Sequence, residues 1–260
     1  MSESVLKIRD LRVTFNTQLG ELRAVRGVDV DVTPGEILGV VGESGSGKSV
    51  SFLAAMGLLP KSATITGSVE LDGVELIGAG RKAIRSVRGK SLAMVFQDPL
   101  SALNPVHRVG DQIVEMIQSH QDMNTHDAEK KAVELLEIVG IPQPDERALQ
   151  YPHEFSGGMR QRVVIAMAIA NNPKVLIADE PTTALDVTVQ AQILEVIQRV
   201  QQTFGTAVVL ITHDLGVIAR VADSVNVMYA GRNVESGSVQ SIFDHPSHPY
   251  TRGLLSSLPH

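Results

Sequence analysis

The feature that most constrains this chain is the glycine-rich segment GESGSGKS (42–49), which directly follows the apolar run ILGVV (37–41). The run predicts a buried strand, and SVSFLAAMGLL (49–59) after the loop predicts a helix. The pattern G-x-x-x-x-G-K-[ST] is matched at Gly42, Gly47, Lys48 and Ser49. Glycines let the backbone curl so that successive N–H groups face a phosphate, and the helix N-terminus adds partial positive charge. The segment therefore predicts a phosphate-binding loop; on its own it is also compatible with a Gly/Ser-rich surface turn.

Within this loop, Lys48 is expected to reach the β- and γ-phosphates of a nucleotide, and Ser49 to ligate Mg²⁺. The expected phosphate contacts of the loop and the helix start are Gly42, Glu43, Ser44, Gly45, Ser46, Gly47, Lys48, Ser49 and Val50.

Three more short apolar runs have the character of strands buried on both faces of a parallel sheet: SLAMVF (91–96), VLIA (175–178) and AVVLI (207–211). Polar residues follow each of them: Gln97, then Asp179 with Glu180, then Thr212 with His213. Because ligands of open parallel sheets bind beyond the carboxyl ends of the strands, these side chains predict one site at one edge.

The residue types at these strand ends suit phosphate hydrolysis. Asp179 can hold Mg²⁺ directly or through water, and Glu180 can orient and polarise a water against the γ-phosphate. Gln97 can touch the metal and the attacking water, and His213 can hydrogen-bond the γ-phosphate. The predicted catalytic residues are Glu180, His213 and Gln97, and the predicted metal ligands are Ser49, Gln97 and Asp179. Taken singly, an acidic pair after a strand is also compatible with a solvated turn, and a lone histidine with a structural role.

The rest of the chain predicts smaller elements around this core. KIRDLRVTF (7–15), VDVDV (28–32) and SVELDGVEL (68–76) alternate as antiparallel strands do, with a turn at Asp72-Gly73. Helical spacing dominates 98–172 and returns at 188–202. We predict an α/β fold of the P-loop NTPase (RecA-like) type. Its expected parts are a nucleotide-binding core (36–62, 91–97, 173–235), an antiparallel β-subdomain (1–35, 63–90), an inserted helical subdomain (98–172) and a loosely packed C-terminal tail (236–260).

Composition narrows the class of protein. Hydrophobic residues make up 43% of the chain, enough for a sizeable core, and the absence of cysteine excludes disulfides and thiolate metal sites. The net charge of −6, without a long basic run, argues against a nucleic-acid partner. The longest apolar run, VVIAMAIA (163–170), is far shorter than the ~20 residues of a membrane span. The N-terminus lacks a signal-peptide pattern, so we expect a soluble or peripheral cytoplasmic protein.

In this order, the segments resemble those of the nucleotide-binding subunits of ABC transporters, over nearly the whole chain. GESGSGKS resembles the Walker A motif, VLIADEP (175–181) the Walker B motif with its glutamate, and TALD (183–186) the D-loop. Gln97 corresponds to the Q-loop and His213 to the switch histidine. FSGGM (155–159) resembles the LSGGQ signature but departs from it at Phe155 and Met159.

The resemblance implies ATP and Mg²⁺ as ligands and two cassettes that meet head to tail. Ser156 is expected to cap a helix starting at Gly157, with unpaired N–H groups that attract a phosphate. In the family, this helix start closes on the ATP held by the partner, so Ser156, Gly157, Gly158 and Asp186 are expected to act in trans. The alternative is a plain capped helix whose glycines allow close packing. Phe15, the one aromatic residue before the phosphate loop, is expected either to stack on adenine or to be core.

Finer resemblance points to the importers of oligopeptides, dipeptides and nickel. It is carried by 94–113, by 154–194 and by the tail HPSHPYTRGLLSSLP (245–259). It implies a second cassette (a homologous chain or a copy of this one), two membrane-spanning permease subunits and, indirectly, an extracytoplasmic solute-binding protein. The chain would be peripheral on the cytoplasmic face of the inner membrane, with the membrane coupling element against 98–120.

Several alternatives stay open at this point. The chain could instead be a soluble ABC-type mechanical ATPase, or a P-loop module that binds without turnover. The transported solute and the choice between homodimer and heterodimer are not encoded in the cassette. Many relatives continue past this tail, often with a cysteine-rich segment, and both a short and a longer member fit the sequence.

Overall fold

The structure, a computed structural model, describes residues 3–183 and 185–257. The chain divides into two compact units, the first made of Met1–Arg85 with Ala207–His260 and the second of Ser86–Thr206. The strands are β1 (Leu6–Thr17), β2 (Gly20–Val32), β3 (Ile37–Val41), β4 (Ala63–Leu71), β5 (Val74–Glu75), β6 (Leu92–Val95), β7 (Val175–Asp179), β8 (Ala207–Thr212), β9 (Ser224–Tyr229) and β10 (Arg232–Ser238). The helices are α1 (Lys48–Ala55), α2 (Arg81–Val87), α3 (Pro99–Ala102), α4 (Val109–Gln118), α5 (Thr125–Ile138), α6 (Pro144–Ala148), α7 (Gly157–Ile169), α8 (Val187–Phe204), α9 (Leu215–Val221), α10 (Val239–Asp244) and α11 (Pro249–Ser256), with a 3₁₀ turn at Pro152–Glu154.

The first unit contains an antiparallel sheet in the order β2-β1-β4-β5. Its buried face is aliphatic, and a bulge in β1 resets the alternation: Asp10 has a φ of 43°, and the pairing with β2 shifts between Ile8 and Leu11. The predicted turn between β4 and β5 is confirmed, because Asp72 and Gly73 have φ values of 50° and 74°. Strand β2 begins eight residues earlier than VDVDV indicates, since its first part pairs with the end of β1.

Parallel strands form the buried centre of the first unit. Strand β3 lies between β8 and β9 and is parallel to both, and β10 pairs with β9 in the antiparallel direction. Every residue of β3 and β8 is buried, as the unbroken apolar runs predict. Helix α1 follows β3 after the glycine-rich loop, so the predicted strand–loop–helix order is confirmed.

The second unit combines a parallel pair with a set of helices. Strands β6 and β7 pair in parallel from Leu92 with Val175 to Val95 with Ala178. In α5 the apolar residues at helical spacing are buried, and Gly140, with a φ of 74°, follows the end of the helix. The unit therefore groups β6 and β7 with the helices, whereas the sequence patterns place these strands in the core and the helices in a separate subdomain. Within the described ranges, no helix has the length and apolarity that a membrane crossing needs.

The C-terminal segment is more ordered than its Ser, His and Pro content predicts. Strand β10 continues to Ser238, and α10 and α11 follow. The carboxylate of Glu235 accepts hydrogen bonds from the backbone N–H groups of Ser247 (2.6 Å) and His248 (3.1 Å), and Thr251 is fully buried. Glu235 thus pairs free backbone donors just ahead of α11. The segment forms two helices, but most of its described residues are exposed or partly buried, so loose packing stays a prediction.

Candidate functional site

The glycine-rich loop between β3 and α1 depends on two glycines for its path. A Cβ on Gly42 would lie 2.1 Å from the carbonyl oxygen of Met228, and one on Gly47 would lie 2.7 Å from that of Ala24. Both glycines also have positive φ, 152° and 97°. Any other residue would therefore push the loop away from β9 and β2. Gly45, at the tip, has nothing within 4 Å of the corresponding position, so the loop is open where a ligand would approach.

Lys48 lies on the first turn of α1 and is only 5% exposed. Its ammonium donates to the carbonyl oxygens of Gly42 (2.6 Å) and Glu43 (2.9 Å). The cation is thus held against the loop by the loop's own backbone, ready for a phosphate that enters the curl. Glu43, Ser44 and Gly45 are exposed, while Ser49 and Val50 are partly buried at the helix start. The Ser46 hydroxyl is buried and has no hydrogen-bond partner within the described part of the chain.

In the second unit, the ends of β6 and β7 bring Gln97 and Glu180 together, as the strand pattern predicts. The side-chain amide of Gln97 donates to Oε2 of Glu180 at 3.1 Å. Asp179 ends β7 and is partly buried. Glu180 itself has a φ of 46°, the left-handed region that non-glycine residues rarely adopt. Such strain at a carboxylate beside a strand end is typical of a functional site.

Thr183, predicted only as the first residue of the D-loop segment, is a further residue of this site. Its hydroxyl donates to the same Glu180 oxygen at 2.8 Å, and its backbone N–H bonds to the Glu180 carbonyl at 3.2 Å. A tight turn therefore fixes the glutamate from the C-terminal side, while Gln97 fixes it from the neighbouring strand. The sequence does contain a signal for this role, because Thr183 lies three residues after Glu180. In a four-residue turn the last residue can hydrogen-bond back to the first.

His213 belongs to the first unit, where it is the exposed residue directly after β8. The next residue, Asp214, caps α9 by accepting from the backbone N–H groups of Gly216 (2.8 Å) and Val217 (3.2 Å). The cap fixes the chain direction just beyond the histidine. Whether His213 contacts a phosphate stays a prediction.

The predicted helix start at Ser156 is confirmed. Ser156 is the N-cap of α7, its hydroxyl accepts from the Met159 N–H at 3.4 Å, and both Ser156 and Gly157 are exposed. The two glycines differ: a Cβ on Gly158 would lie 2.4 Å from Cγ1 of Val189, whereas one on Gly157 would lie 3.7 Å from Leu185, an ordinary contact. Close packing therefore explains Gly158 but leaves Gly157 unexplained.

Asp186 is the N-cap of α8, and its carboxylate accepts from the Val189 N–H at 3.0 Å. The predicted D-loop segment also contains Ala184, which lies outside the described residues.

Phe15 lies near the end of β1, paired with Leu22 of β2 and Ala63 of β4. Its side chain is partly exposed and does not belong to the buried core. The core interpretation is therefore not supported, and stacking on a base stays a prediction. Leu22, the exposed residue that pairs with Phe15, lies two residues before Ala24. The carbonyl oxygen of Ala24 is the one that Gly47 of the phosphate loop approaches, so this hairpin also contacts the loop.

The residues predicted to hold Mg²⁺ have suitable chemistry. The hydroxyl of Ser49, the amide oxygen of Gln97 and the carboxylate of Asp179 are oxygen donors, which Mg²⁺ prefers. Across 3–183 and 185–257, no group of three or more His, Cys, Asp and Glu side chains could hold a metal by itself.

Comparison with known proteins agrees with these features. Residues 25–183 match the family model described as "ABC transporter", and residues 234–260 match that of the "Oligopeptide/dipeptide transporter, C-terminal region". The chain is 54% identical to the oligopeptide transport ATP-binding protein OppD of Bacillus subtilis, over 98% of this chain and 72% of that protein. It is 52% identical to the dipeptide transport ATP-binding protein DppD of the same organism, over 99% and 77%. The OppD protein of Mycobacterium tuberculosis is 55% identical, and the chain spans 42% of its length.

Solved structures confirm the fold class. A bacterial ABC transporter cassette solved as a dimer has a TM-score of 0.79 at 26% identity, covering 90% of this chain and 98% of the cassette. The cbiO1 protein of Clostridium perfringens, part of an ABC transporter complex, also has a TM-score of 0.79, at 27% identity, covering 99% and 97%. From the matched family model, the relatives and these folds, we conclude that the chain belongs to the family of ABC transporter ATP-binding subunits.

Proposed function

We propose that this protein is the ATP-hydrolysing subunit of an importer that carries dipeptides or oligopeptides across the cytoplasmic membrane. The observation that carries the hydrolytic part is the Glu180 carboxylate, strained and held by Gln97 at 3.1 Å and by Thr183 at 2.8 Å. Two polar donors on one carboxylate fix its direction while leaving it able to accept a proton from water.

ATP would bind with its phosphates in the loop 42–49. The loop's N–H groups and the α1 N-terminus stabilise the negative charge, and Lys48, still held by the loop carbonyls, presents its ammonium to the β- and γ-phosphates. Ser49, Gln97 and Asp179 would hold Mg²⁺, which when bound neutralises charge that develops on the phosphate oxygens. Phe15 would stack on the adenine ring.

Hydrolysis would follow from the strand-end side chains. Glu180 orients and polarises the attacking water, Gln97 steadies Glu180, and His213 donates a hydrogen bond to the γ-phosphate. These groups act by position and electrostatics, which is what phosphoryl transfer chiefly requires.

A second cassette, either a homologous chain or another copy, would complete the site. Ser156, Gly157, Gly158 and Asp186 would face the ATP bound by the partner. The exposure of Ser156 and Gly157 and the space beside Gly157 support this role, because a phosphate needs close access to the α7 N-terminus.

Coupling to two membrane-spanning permease subunits would use an apolar groove in the second unit. The groove has a volume of about 420 Å³, and one of its lining residues, Phe96, directly precedes Gln97 in the sequence. Its lining includes Met94, Phe96, Met116, Val164 and Met167. Phe96 is exposed within the groove, and its apolar walls suit an apolar side chain of a docking partner. The cassette would then be peripheral on the cytoplasmic face of the membrane, with an extracytoplasmic solute-binding protein as an indirect partner and no nucleic acid.

Peptides are favoured as the transported solute by the names of the similar proteins and by the C-terminal match at 234–260. Nickel or another small solute is kept as the alternative, because the sequence of the cassette is compatible with either. Stimulation of ATPase activity in the assembled transporter by dipeptides, oligopeptides or Ni²⁺, each added with the solute-binding protein, decides between them. Failure to co-purify with permease subunits would instead favour a soluble mechanical ATPase.

The central experiment is Glu180→Gln. We expect hydrolysis to fall at least about a hundredfold because the amide cannot accept the water's proton. ATP binding persists, and a closed ATP-bound dimer with the partner cassette accumulates, detectable by size-exclusion chromatography. Glu195→Gln, an exposed change on α8, is the matched control and leaves the rate unchanged. Hydrolysis at the normal rate in Glu180→Gln would overturn the role of Glu180.

A further inference from the structure

The C-terminal helix α11 contacts the phosphate loop through one side chain. The backbone N–H of Glu43 donates to the hydroxyl oxygen of Tyr250 at 3.0 Å. The two residues are 207 positions apart in the chain, yet both belong to the first unit. A segment that follows the last strand of this unit therefore takes part in the geometry of the loop.

The peptide group that Tyr250 contacts is the one that also holds Lys48. The N–H of Glu43 and the carbonyl of Gly42 belong to a single planar peptide unit. The carbonyl oxygen accepts from the Lys48 ammonium at 2.6 Å, while the N–H donates to Tyr250. Because hydrogen bonds at the two ends of one peptide polarise each other, Tyr250 strengthens the carbonyl as an acceptor for Lys48. It also opposes rotation of this peptide, which the glycine at position 42 would otherwise allow.

Tyr250 is itself held firmly. Its ring packs against that of Tyr229, with centroids 4.4 Å apart, and its backbone N–H donates to Nδ1 of His248 at 3.1 Å. Burial is the main cause that raises the pKa of its phenol, partly offset by the hydrogen bond from Glu43. The hydroxyl therefore stays neutral near pH 7 and remains a stable acceptor for the loop N–H.

We propose that Tyr250 is a positioning residue of the nucleotide site: through the Gly42–Glu43 peptide it sets the position of Lys48, so that phosphate affinity depends on the docked C-terminal segment. The inference rests on the proposed function, since it concerns the loop and the lysine that would bind ATP. Helix α11 thereby takes a direct part in nucleotide binding. This contribution is lost when the helix moves away from the phosphate loop.

The test compares Tyr250→Phe with Tyr229→Phe, two changes that each remove one hydroxyl from the same ring pair. Binding of ATP and of GTP to the purified chain is measured by isothermal titration calorimetry, and thermal unfolding by circular dichroism. For Tyr250→Phe we expect the Kd of both nucleotides to rise by the same factor, about two- to tenfold, as for the loss of one hydrogen bond. The Kd values of ATP and GTP should rise by the same factor, because the change affects the binding of the phosphates, which the two nucleotides share, and not that of the base. The unfolding midpoint should stay within about 2 °C, and Tyr229→Phe should change neither quantity.

The outcomes separate the inference from the proposed function. If the unaltered chain binds no ATP, the proposed function fails. If it binds ATP and Tyr250→Phe binds both nucleotides equally well, only the role of Tyr250 is overturned. A drop in the unfolding midpoint in proportion to the loss of affinity also overturns it, because the hydroxyl then contributes to folding rather than to the position of Lys48.

Discussion

Glu180 shows how one residue can combine strain with function. A left-handed backbone costs a non-glycine residue about 1–2 kcal/mol, and here the cost is offset by hydrogen bonds from Gln97 and Thr183 to the side chain. A glycine would remove the strain but also the carboxylate. The conformation is therefore best explained by the need to present a carboxylate at the end of β7.

Thr183 offers a direct test of this arrangement. We expect Thr183→Val, which keeps the shape but removes the donor, to lower kcat about tenfold, since a hydrogen bond to a charged group contributes about 1.5–3 kcal/mol. Thr183→Ser keeps the hydroxyl and should retain most of the activity. Steady-state ATPase assays measure both, and equal rates for the Val and Ser variants would show that the hydroxyl does not position Glu180.

Phe15 can be tested in a similar way. If its ring stacks on adenine, Phe15→Ala should raise the Kd of ATP about three- to tenfold, and Phe15→Trp should restore it. Leu22→Ala, which shortens the exposed neighbour across the hairpin, is the control and should leave the Kd unchanged. Fluorescence titration with a nucleotide analogue reports the affinities. An unchanged Kd in Phe15→Ala would mean that the ring only covers the sheet.

At the scale of elements, the two glycines at the start of α7 serve different purposes. Gly158 allows α7 to approach Val189 of α8, whereas Gly157 has room for a methyl group. We expect Gly158→Ala to destabilise the protein by about 1–3 kcal/mol through overpacking, and Val189→Ala to recover part of that loss. Gly157→Ala should leave the unfolding midpoint nearly unchanged but lower ATPase activity about tenfold or more, if the α7 start faces the partner's ATP as proposed, because the methyl group would then obstruct the phosphate. Denaturant unfolding and ATPase assays measure the two effects; normal activity in Gly157→Ala would leave only the capping role.

Elements whose apolar period is unambiguous could be predicted from the sequence, and those whose pairing depends on distant residues could not. ILGVV became β3 with the expected bounds because a parallel strand buried on both faces needs an unbroken apolar run. The start of β2 and the strand β10 were missed, since their polar residues form strands only where a neighbour supplies the hydrogen bonds. Helix α11 was also missed, because the carboxylate that pairs the backbone donors ahead of it, Glu235, lies outside the helix.

The same distinction applies to the candidate site. Gln97 and Glu180 were predicted together because both follow buried parallel strands, and their contact is present. Thr183 and Tyr250 were not, because a hydroxyl in a turn or on a tail helix gives no pattern of its own. Their importance comes from the single oxygen or N–H that each one contacts.

At the scale of the whole molecule, the two units carry different parts of the predicted chemistry. The first holds the phosphate loop, His213 and the C-terminal helix that contacts the loop. The second holds Gln97, Glu180, the α7 start and the apolar groove beside Met116. A change confined to the groove should therefore affect membrane partners without altering the nucleotide-binding loop.

Met116→Glu tests this separation. A carboxylate on the groove wall would be desolvated by any apolar partner, so we expect the variant to lose most co-purification with permease subunits, and transport to fall about tenfold or more. ATP affinity of the isolated chain should not change, because Met116 belongs to neither strand end nor loop. Leu149→Glu places the same charge at another exposed apolar position of the second unit and should leave assembly intact. If both variants co-purify with the permease subunits at the normal level, the permease contact lies elsewhere. If both lose co-purification to the same extent, the cause is added charge in general rather than docking in this groove.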